Sequence, residues 1–328
     1  MITRPQIKLF GTDMIMTGFD AGAEKAFPNY IKILQGRQKP KFQAAEAVGA
    51  LDRKIKEVEE VLKCCELCTR RCGVNRLAGE LGFCGVGTRP RIFGAHTHMG
   101  EEDELIPSAT IFFAGCTMRC AYCQNAPESI TPGLGGEWTE EEIALWIEEE
   151  WKEGCRNVNF VGGEPTPYLY SILRSLRACR ADIPVVWNSN SYYSEKTAEI
   201  LKGIIDIYLL DFRYFDERCA VRLSSAPRYP EVAKRNFLDA WRDSELLIRV
   251  LVIPRHTECD AKPILKWIRE NLGPWPRVNI MGQYFPTWNA DLFPEIDRRL
   301  TREEYRDVIN YAGEIGLKNF IMQEQYLR

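Results

Sequence analysis

From Ala109 to the end of the chain, short apolar runs alternate with amphipathic stretches. That alternation constrains the fold more than any other feature. ATIFFAG, NVNFV, IPVVWNSN, IDIYLLDF, ELLIRVLVI and RVNIM read as strands with apolar side chains on both faces. The segments between them have helical period. The first begins with a Thr139–Glu142 capping box, turns Ile143, Trp146 and Ile147 inward, and closes at Gly154. The last starts at Thr301, capped back by Glu304, with Tyr305, Val308, Ile309 and Ala312 on its inner face. KNFIM is a short final strand. Buried strands joined by helices require a parallel sheet covered on its outer side. Six such units fall short of a closed eight-fold barrel, so the expected fold is α/β, a partial (β/α)6 barrel of TIM type. A doubly wound open sheet is the competing arrangement. In either, the site lies at the C-terminal ends of the strands.

The N-terminal third reads differently. Residues 1–50 are expected to form an irregular arm with a short helix near Phe27–Leu34. ALDRKIKEVEEVLK, residues 50–63, is an amphipathic helix with Leu51, Ile55, Val58 and Leu62 on one face. A cysteine-rich stretch follows, then a link rich in glycine and acid, GAHTHMGEEDELIPS. The expected division is an extension over 1–104, with arm, helix and four-cysteine metal-binding segment, and the barrel over 105–328. A net charge of −3 carries no basic stripe for nucleic acid. No apolar run reaches the roughly 20 residues of a membrane span. MITRPQIKLFGTDMIMTGFD lacks the pattern of a secretory signal, so a soluble cytoplasmic protein is expected.

Twelve cysteines are many for such a chain, and in a reducing compartment clustered thiols point to metal rather than disulfides. Cys116, Cys120 and Cys123 are spaced C-x3-C-x2-C where the first strand ends. Structural zinc takes four ligands, and no fourth cysteine or histidine stands nearby. A zinc site completed from elsewhere is one reading. The other is a [4Fe-4S] cluster, for which three thiolates leave one iron open to a ligand. Upstream, Cys65-x2-Cys68-x3-Cys72-x11-Cys84 is a second ligand set, with Cys64 as an adjacent alternative to Cys65. Structural zinc and a second iron–sulfur cluster both fit it. Cys155, Cys179, Cys219 and Cys259 are expected to be small buried or half-buried side chains with no spacing that suggests a site. The three histidines, His96, His98 and His256, are too dispersed to suggest one either.

The triplet, with Tyr122 before its last cysteine, resembles the signature of the radical S-adenosylmethionine (SAM) superfamily. The resemblance implies a partial barrel of that family's type, a [4Fe-4S] cluster on Cys116, Cys120 and Cys123, and SAM on the open iron. Reductive cleavage of SAM would then give a 5′-deoxyadenosyl radical that abstracts hydrogen from a substrate. It also implies a low-potential electron donor of flavodoxin or ferredoxin type.

Further positions match that pattern. Gly162-Gly163-Glu164-Pro165 after the second strand resembles the motif that meets the amino group of SAM; physically, the glycines permit close approach and Glu164 offers an acceptor. Asn188, at the third strand's end, is expected to reach a ribose. Asp211-Phe212-Arg213 stands where glycyl-radical activating enzymes read Asp-x-Lys, and the arginine is a departure from that pattern. Arg249, a charge inside a buried strand, is read either as a clamp for the SAM carboxylate or as half of a salt bridge, with Asp211 a possible partner. Tyr122 is expected against the nucleoside.

CELC…RRCGVNR…GELGFCG, the later GEE, GCTMRCAYCQN, SAPRYPEVAKRNF and VNIMGQYFP together resemble the pyruvate formate-lyase activating enzyme-related subgroup called PflX. The implied function is activation of a glycyl-radical enzyme. Radical modification of another peptide or small molecule is the alternative, and a non-catalytic iron–sulfur binding or electron-carrier module is the third reading.

Overall fold

The computed structural model of the chain describes residues 18–326. Nine strands form one sheet: β1 (Arg91–His98), β2 (Ser108–Phe113), β3 (Gly136–Glu137), β4 (Asn157–Gly162), β5 (Val185–Ser189), β6 (Ile207–Asp211), β7 (Glu245–Leu251), β8 (Arg277–Met281) and β9 (Phe320–Met322). Their order is β3-β1-β2-β4-β5-β6-β7-β8-β9, and from β2 to β9 every pair is parallel. A doubly wound sheet must reverse its strand order at a switch point. This one runs in a single direction, as a partial barrel does, with six β/α units and the short β9 after them. Both expected capping boxes are present, Thr139 with Glu142 and Thr301 with Glu304.

The glycine- and acid-rich link departs from expectation. Its first part is β1, antiparallel to β2 from Ile92↔Phe113 to His98↔Ser108. Only Ile92 of this strand is buried, so it shows no apolar alternation from which a strand could be read. His96 and His98 share a face there, and the His96 ring stacks on Phe112.

The arm is more regular than expected. The helix expected near Phe27–Leu34 is Pro28–Leu34, and helices Ala21–Ala26 and Lys41–Ala47 flank it. Tertiary contacts cap two of these helices. The Glu245 carboxylate, at the start of β7, accepts from Asn29 N (2.5 Å) and Tyr30 N (3.0 Å). Asp206, just before β6, accepts from Lys41 N at 3.0 Å. Phe27 and Tyr30 thereby pack with Val186, Ile207, Leu209 and Leu247 inside the sheet. Most of the amino-terminal stretch considered for a secretory signal lies outside the described residues. Among the described residues no helix is long and apolar enough to cross a membrane.

Helix Ala50–Leu62 buries the four expected residues and packs on helix Leu169–Ala178. The cysteine-rich segment then docks on the loop after β5. Thr69 N donates to Tyr192 O (3.3 Å) and Ser194 N to Leu67 O (3.0 Å), with a bridge between Cys68 and Tyr193. Both cysteine groups therefore lie at the C-terminal end of the barrel.

Candidate active site

The triplet occupies the loop after β2. Gly115 starts it with φ +85°, pressed so close to Val86 and the Cys84 carbonyl that a side chain would collide with them. Arg119 N donates to Ser224 O (2.9 Å) and Ala121 N to Leu223 O (2.8 Å), so helix Glu217–Ser224 braces the loop. The Arg119 guanidinium gathers the carbonyls of Cys116, Met118 and Phe83. Cys116 and Cys120 are buried and Cys123 is half-buried.

The three thiols line one cavity of about 220 Å³ with Tyr122, Gly162, Gly163, Glu164, Asn188, Asp211 and Arg249. Every residue expected to meet the first cluster or its cosubstrate is thus on one wall or another of a single space. It opens into a larger cavity through shared residues that include Asn188, Arg249 and Gln283.

The donor set suits a thiolate-ligated cluster. Burial pushes the Cys116 and Cys120 thiols up, so a metal is what would hold them ionised. Met118 N (3.3 Å) and Asn190 Nδ2 (3.5 Å) both approach the Cys116 sulfur as donors, and Cys123 Sγ lies 3.1 Å from the Ser129 hydroxyl. Such bonds tune the potential of an iron–sulfur centre. Asn188 Nδ2 is buried without a partner among the described residues, which leaves a donor for a ligand.

The family model of the radical SAM superfamily matches residues 110–268. The uncharacterized protein MJ0674 of Methanocaldococcus jannaschii is 39% identical over 274 residues, 81% of this chain and 79% of its own. The chain belongs to the radical SAM superfamily.

Its relation to activating enzymes is more distant. A pyruvate formate-lyase-activating enzyme of Listeria monocytogenes is 24% identical over 173 residues, covering 49% of this chain and 68% of its own. Among solved structures, Streptococcus suis SuiB bound to S-adenosylmethionine superposes with a TM-score of 0.50 at 17% identity, over 63% of this chain. This likeness is one of fold, and the chain spans about half of SuiB's length, 48%. Radical SAM proteins use a [4Fe-4S] cluster and SAM and need a reductant.

Within this radical SAM site, several side chains have more to do than their positions in the sequence suggest. Gly162 and Gly163 are required by the backbone itself. A Cβ on Gly162 would lie 2.1 Å from Phe113 N, and one on Gly163 2.1 Å from Gly115 O. They let β4 close against β2 and the cysteine loop. Glu164 is fully buried, and four donors of the chain reach its carboxylate: Thr166 Oγ1, Thr166 N (3.2 Å), Ser189 Oγ (2.7 Å) and Asn190 N (2.9 Å). Three of these donors reach Oε1 and only Asn190 N reaches Oε2, so Oε2 keeps acceptor capacity. Glu164 therefore ties the β4 and β5 loops together as well as facing the cavity.

Asp211 and Arg249 are register partners on β6 and β7, but the ion pairs lie elsewhere. Asp211 binds Arg213 at 2.6 Å. Arg249 pairs with Glu101 and Glu102, from the acidic link. Asn159 Nδ2 donates to Glu101 (2.9 Å) and Asn279 Nδ2 to Glu102 (2.7 Å), while Arg277 holds Glu104 (3.0 Å). The link is an acidic plug inside the half-barrel. Burial pushes the Glu101 carboxyl up, but Arg249 and His98 outweigh it and hold it at about 2. The GEE at 100–102 was a subgroup signature in the sequence, with no sign of its target. Tyr122 is buried, its hydroxyl 2.6 Å from that of Tyr214 and its ring edge-on to Tyr284.

In the second group, the Cys68 thiol lies within electrostatic reach of Cys65, Cys72 and Cys84; with burial, they push it up to about 12. Phe83 N donates to Cys72 Sγ at 3.4 Å. Cys64 is exposed. Cys155 and Cys179 are buried and Cys219 and Cys259 half-buried, as expected, but the last two meet each other across two elements, which their spacing did not show.

Proposed function

We propose that this radical SAM protein is an enzyme that carries its catalytic cluster on Cys116, Cys120 and Cys123 and abstracts hydrogen from a glycyl-radical enzyme. The observation that supports this most is the convergence of three cysteines, Gly162-Gly163-Glu164, Asn188 and Asp211 on one cavity at the strands' C-terminal ends. When bound, a reduced [4Fe-4S] cluster with SAM on its open iron supplies one-electron cleavage of the sulfonium and hence a 5′-deoxyadenosyl radical.

The chain's own residues orient and shield. The buried sulfurs of Cys116 and Cys120 keep water from the metal side. Asn190 and Met118 donate toward the Cys116 sulfur and hold its rotamer. Asn188 Nδ2 is free to donate to a ribose hydroxyl. Glu164 supplies negative charge opposite a cationic cosubstrate. Tyr122, anchored by Tyr214, forms a wall for the nucleoside. The Nη1 of Arg249 has no hydrogen-bond partner among the described residues and can reach a carboxylate while its other nitrogens hold Glu101 and Glu102. In this reading Cys65, Cys68, Cys72 and Cys84 carry a second metal centre beside the first, and a flavodoxin- or ferredoxin-type protein delivers the electron.

The test is anaerobic. Iron- and sulfide-reconstituted protein with SAM and dithionite should release 5′-deoxyadenosine, and Cys116→Ala should abolish this. No product from fully reconstituted wild type would overturn the enzyme reading. A glycyl-radical electron paramagnetic resonance signal in a partner supports the activase assignment. Consumption of SAM with hydrogen transfer to another peptide or small molecule replaces it.

A further inference from the structure

Helix Glu217–Ser224 presents Cys219 toward the turn after β7. That turn, Thr257–Ala261, is wound as a π-helix and carries Cys259 and Asp260, with His256 just before it. Single π turns of this kind frequently mark functional sites. The four ligand atoms of Cys219, His256, Cys259 and Asp260 lie within 4.8 Å of one another. None of the four lines the cavity of the triplet.

We propose that Cys219, His256, Cys259 and Asp260 bind one tetrahedral divalent cation of the zinc class. The donor set is two sulfurs, an imidazole nitrogen and a carboxylate oxygen, which suits a borderline-soft ion. With Zn–S bonds of about 2.3 Å and Zn–N and Zn–O bonds of about 2.1 Å, a tetrahedron has edges of about 3.8 Å for S–S and about 3.6 Å for both S–N and S–O. The structure has 3.9 Å between Cys219 Sγ and Cys259 Sγ, 3.5 Å between Cys259 Sγ and His256 Nδ1, and 3.6 Å between Cys259 Sγ and Asp260 Oδ2. Of these four edges, the His256 Nδ1–Asp260 Oδ2 edge, 2.9 Å, is shorter than the roughly 3.4 Å of a tetrahedron, and the two remaining edges, from Cys219 to His256 and Asp260, lie within 4.8 Å. A hydrogen bond closes it, and its proton is the one that a cation displaces. Binding also releases the two thiol protons, with no change of oxidation state.

The ligands are held for the task. His256 and Asp260 are buried. The other oxygen of Asp260 accepts from Phe215 N (2.7 Å) and Asp216 N (2.9 Å), which orients Oδ2 into the cluster. A disulfide is the competing chemistry, but its sulfurs would sit about 2.05 Å apart. The location gives the cation a structural role. It would clip the β7 turn to the helix whose last carbonyls, Leu223 and Ser224, hold the cysteine loop. It is therefore a brace for the triplet rather than a second reaction centre.

The test uses the full chain loaded anaerobically with iron, sulfide and zinc, read by metal analysis and zinc-edge X-ray absorption. About one zinc per chain in an S2(N/O)2 shell is expected, or about two per chain with a mean of about three sulfurs where the four-cysteine group also takes zinc. Cys219→Ala and Cys259→Ala should each lose this zinc. If both variants fail to fold, the wild-type sulfur count still decides. A zinc shell of four sulfurs alone, zinc unchanged in both variants, or a Cys219–Cys259 disulfide in anaerobic wild type overturns the proposal.

Discussion

Arg249 and Glu102 form a forked ion pair inside the half-barrel, with Nε 2.9 Å from Oε1 and Nη2 2.7 Å from Oε2. Glu101 also accepts from the same Nη2. The charge in the middle of β7 is thus tolerated because the segment between β1 and β2 folds into the barrel to meet it. Removing one member of a buried pair strands the other, at a cost of about 3–5 kcal/mol. Arg249→Ala should therefore lower the denaturation midpoint of the metal-free chain by that order, before any cosubstrate is added. An unchanged midpoint, with only SAM affinity lost, would show that the arginine serves the ligand alone.

Gly163→Ala should be as severe for a different reason. The added methyl meets the Gly115 carbonyl at 2.1 Å, backbone against backbone, with no flexible neighbour to yield. A loss of at least about 3 kcal/mol is expected, visible as poor soluble yield and a lowered melting temperature without cofactor. Normal stability with impaired SAM binding would contradict this packing role.

Asn188→Ala should separate binding from stability. Its Nδ2 has no partner among the described residues, so truncation removes an unsatisfied buried donor and leaves the melting temperature unchanged or higher. SAM affinity should fall about tenfold, the worth of roughly one hydrogen bond. Equilibrium binding on reconstituted protein measures it.

Cys64 and Cys65 should differ sharply. Cys65, with Cys72 and Cys84, acts on the buried Cys68 thiol, whereas Cys64, exposed like Cys72, is not among the thiols that do. Cys65→Ser should lose the second group's metal, and Cys64→Ser should keep it, by metal analysis of the two variants side by side.

Asp206 makes the pH prediction. Burial raises its carboxyl from the ordinary 3.8 to about 7, outweighing the N–H bonds from Val185 and Lys41. The folded chain therefore holds this proton more tightly than the unfolded chain. Its contribution is largest below about 4 and declines as pH rises through about 7. Glu245, also raised by burial to about 7, acts in the same direction. Asp206→Asn should lower stability at acidic pH, because one backbone donor loses its acceptor, and flatten the decline across that window. Melting curves at stepped pH check both.

By itself the sequence determined a parallel α/β sheet of six strand–helix units, because fully buried strands such as IYLL and amphipathic helices with their own capping boxes are written in local pattern, whereas the strand order that makes it a half-barrel rather than a doubly wound sheet is visible only in the tertiary structure. It also determined the cysteine triplet and the order of the positions after it, since these sit at strand ends that period alone locates. It could not show β1, a half-exposed edge strand without alternation, or the arm helices whose caps, Glu245 and Asp206, come from far along the chain. Nor could it show that the acidic link enters the barrel to neutralise Arg249. The cluster of Cys219, His256, Cys259 and Asp260 was equally hidden, since 37 residues separate its first two members. Long-range charge pairing and ligand geometry depend on which strands lie side by side. Only the tertiary structure decided those partners, because a buried charge or thiol takes whichever group the fold brings within a few ångströms.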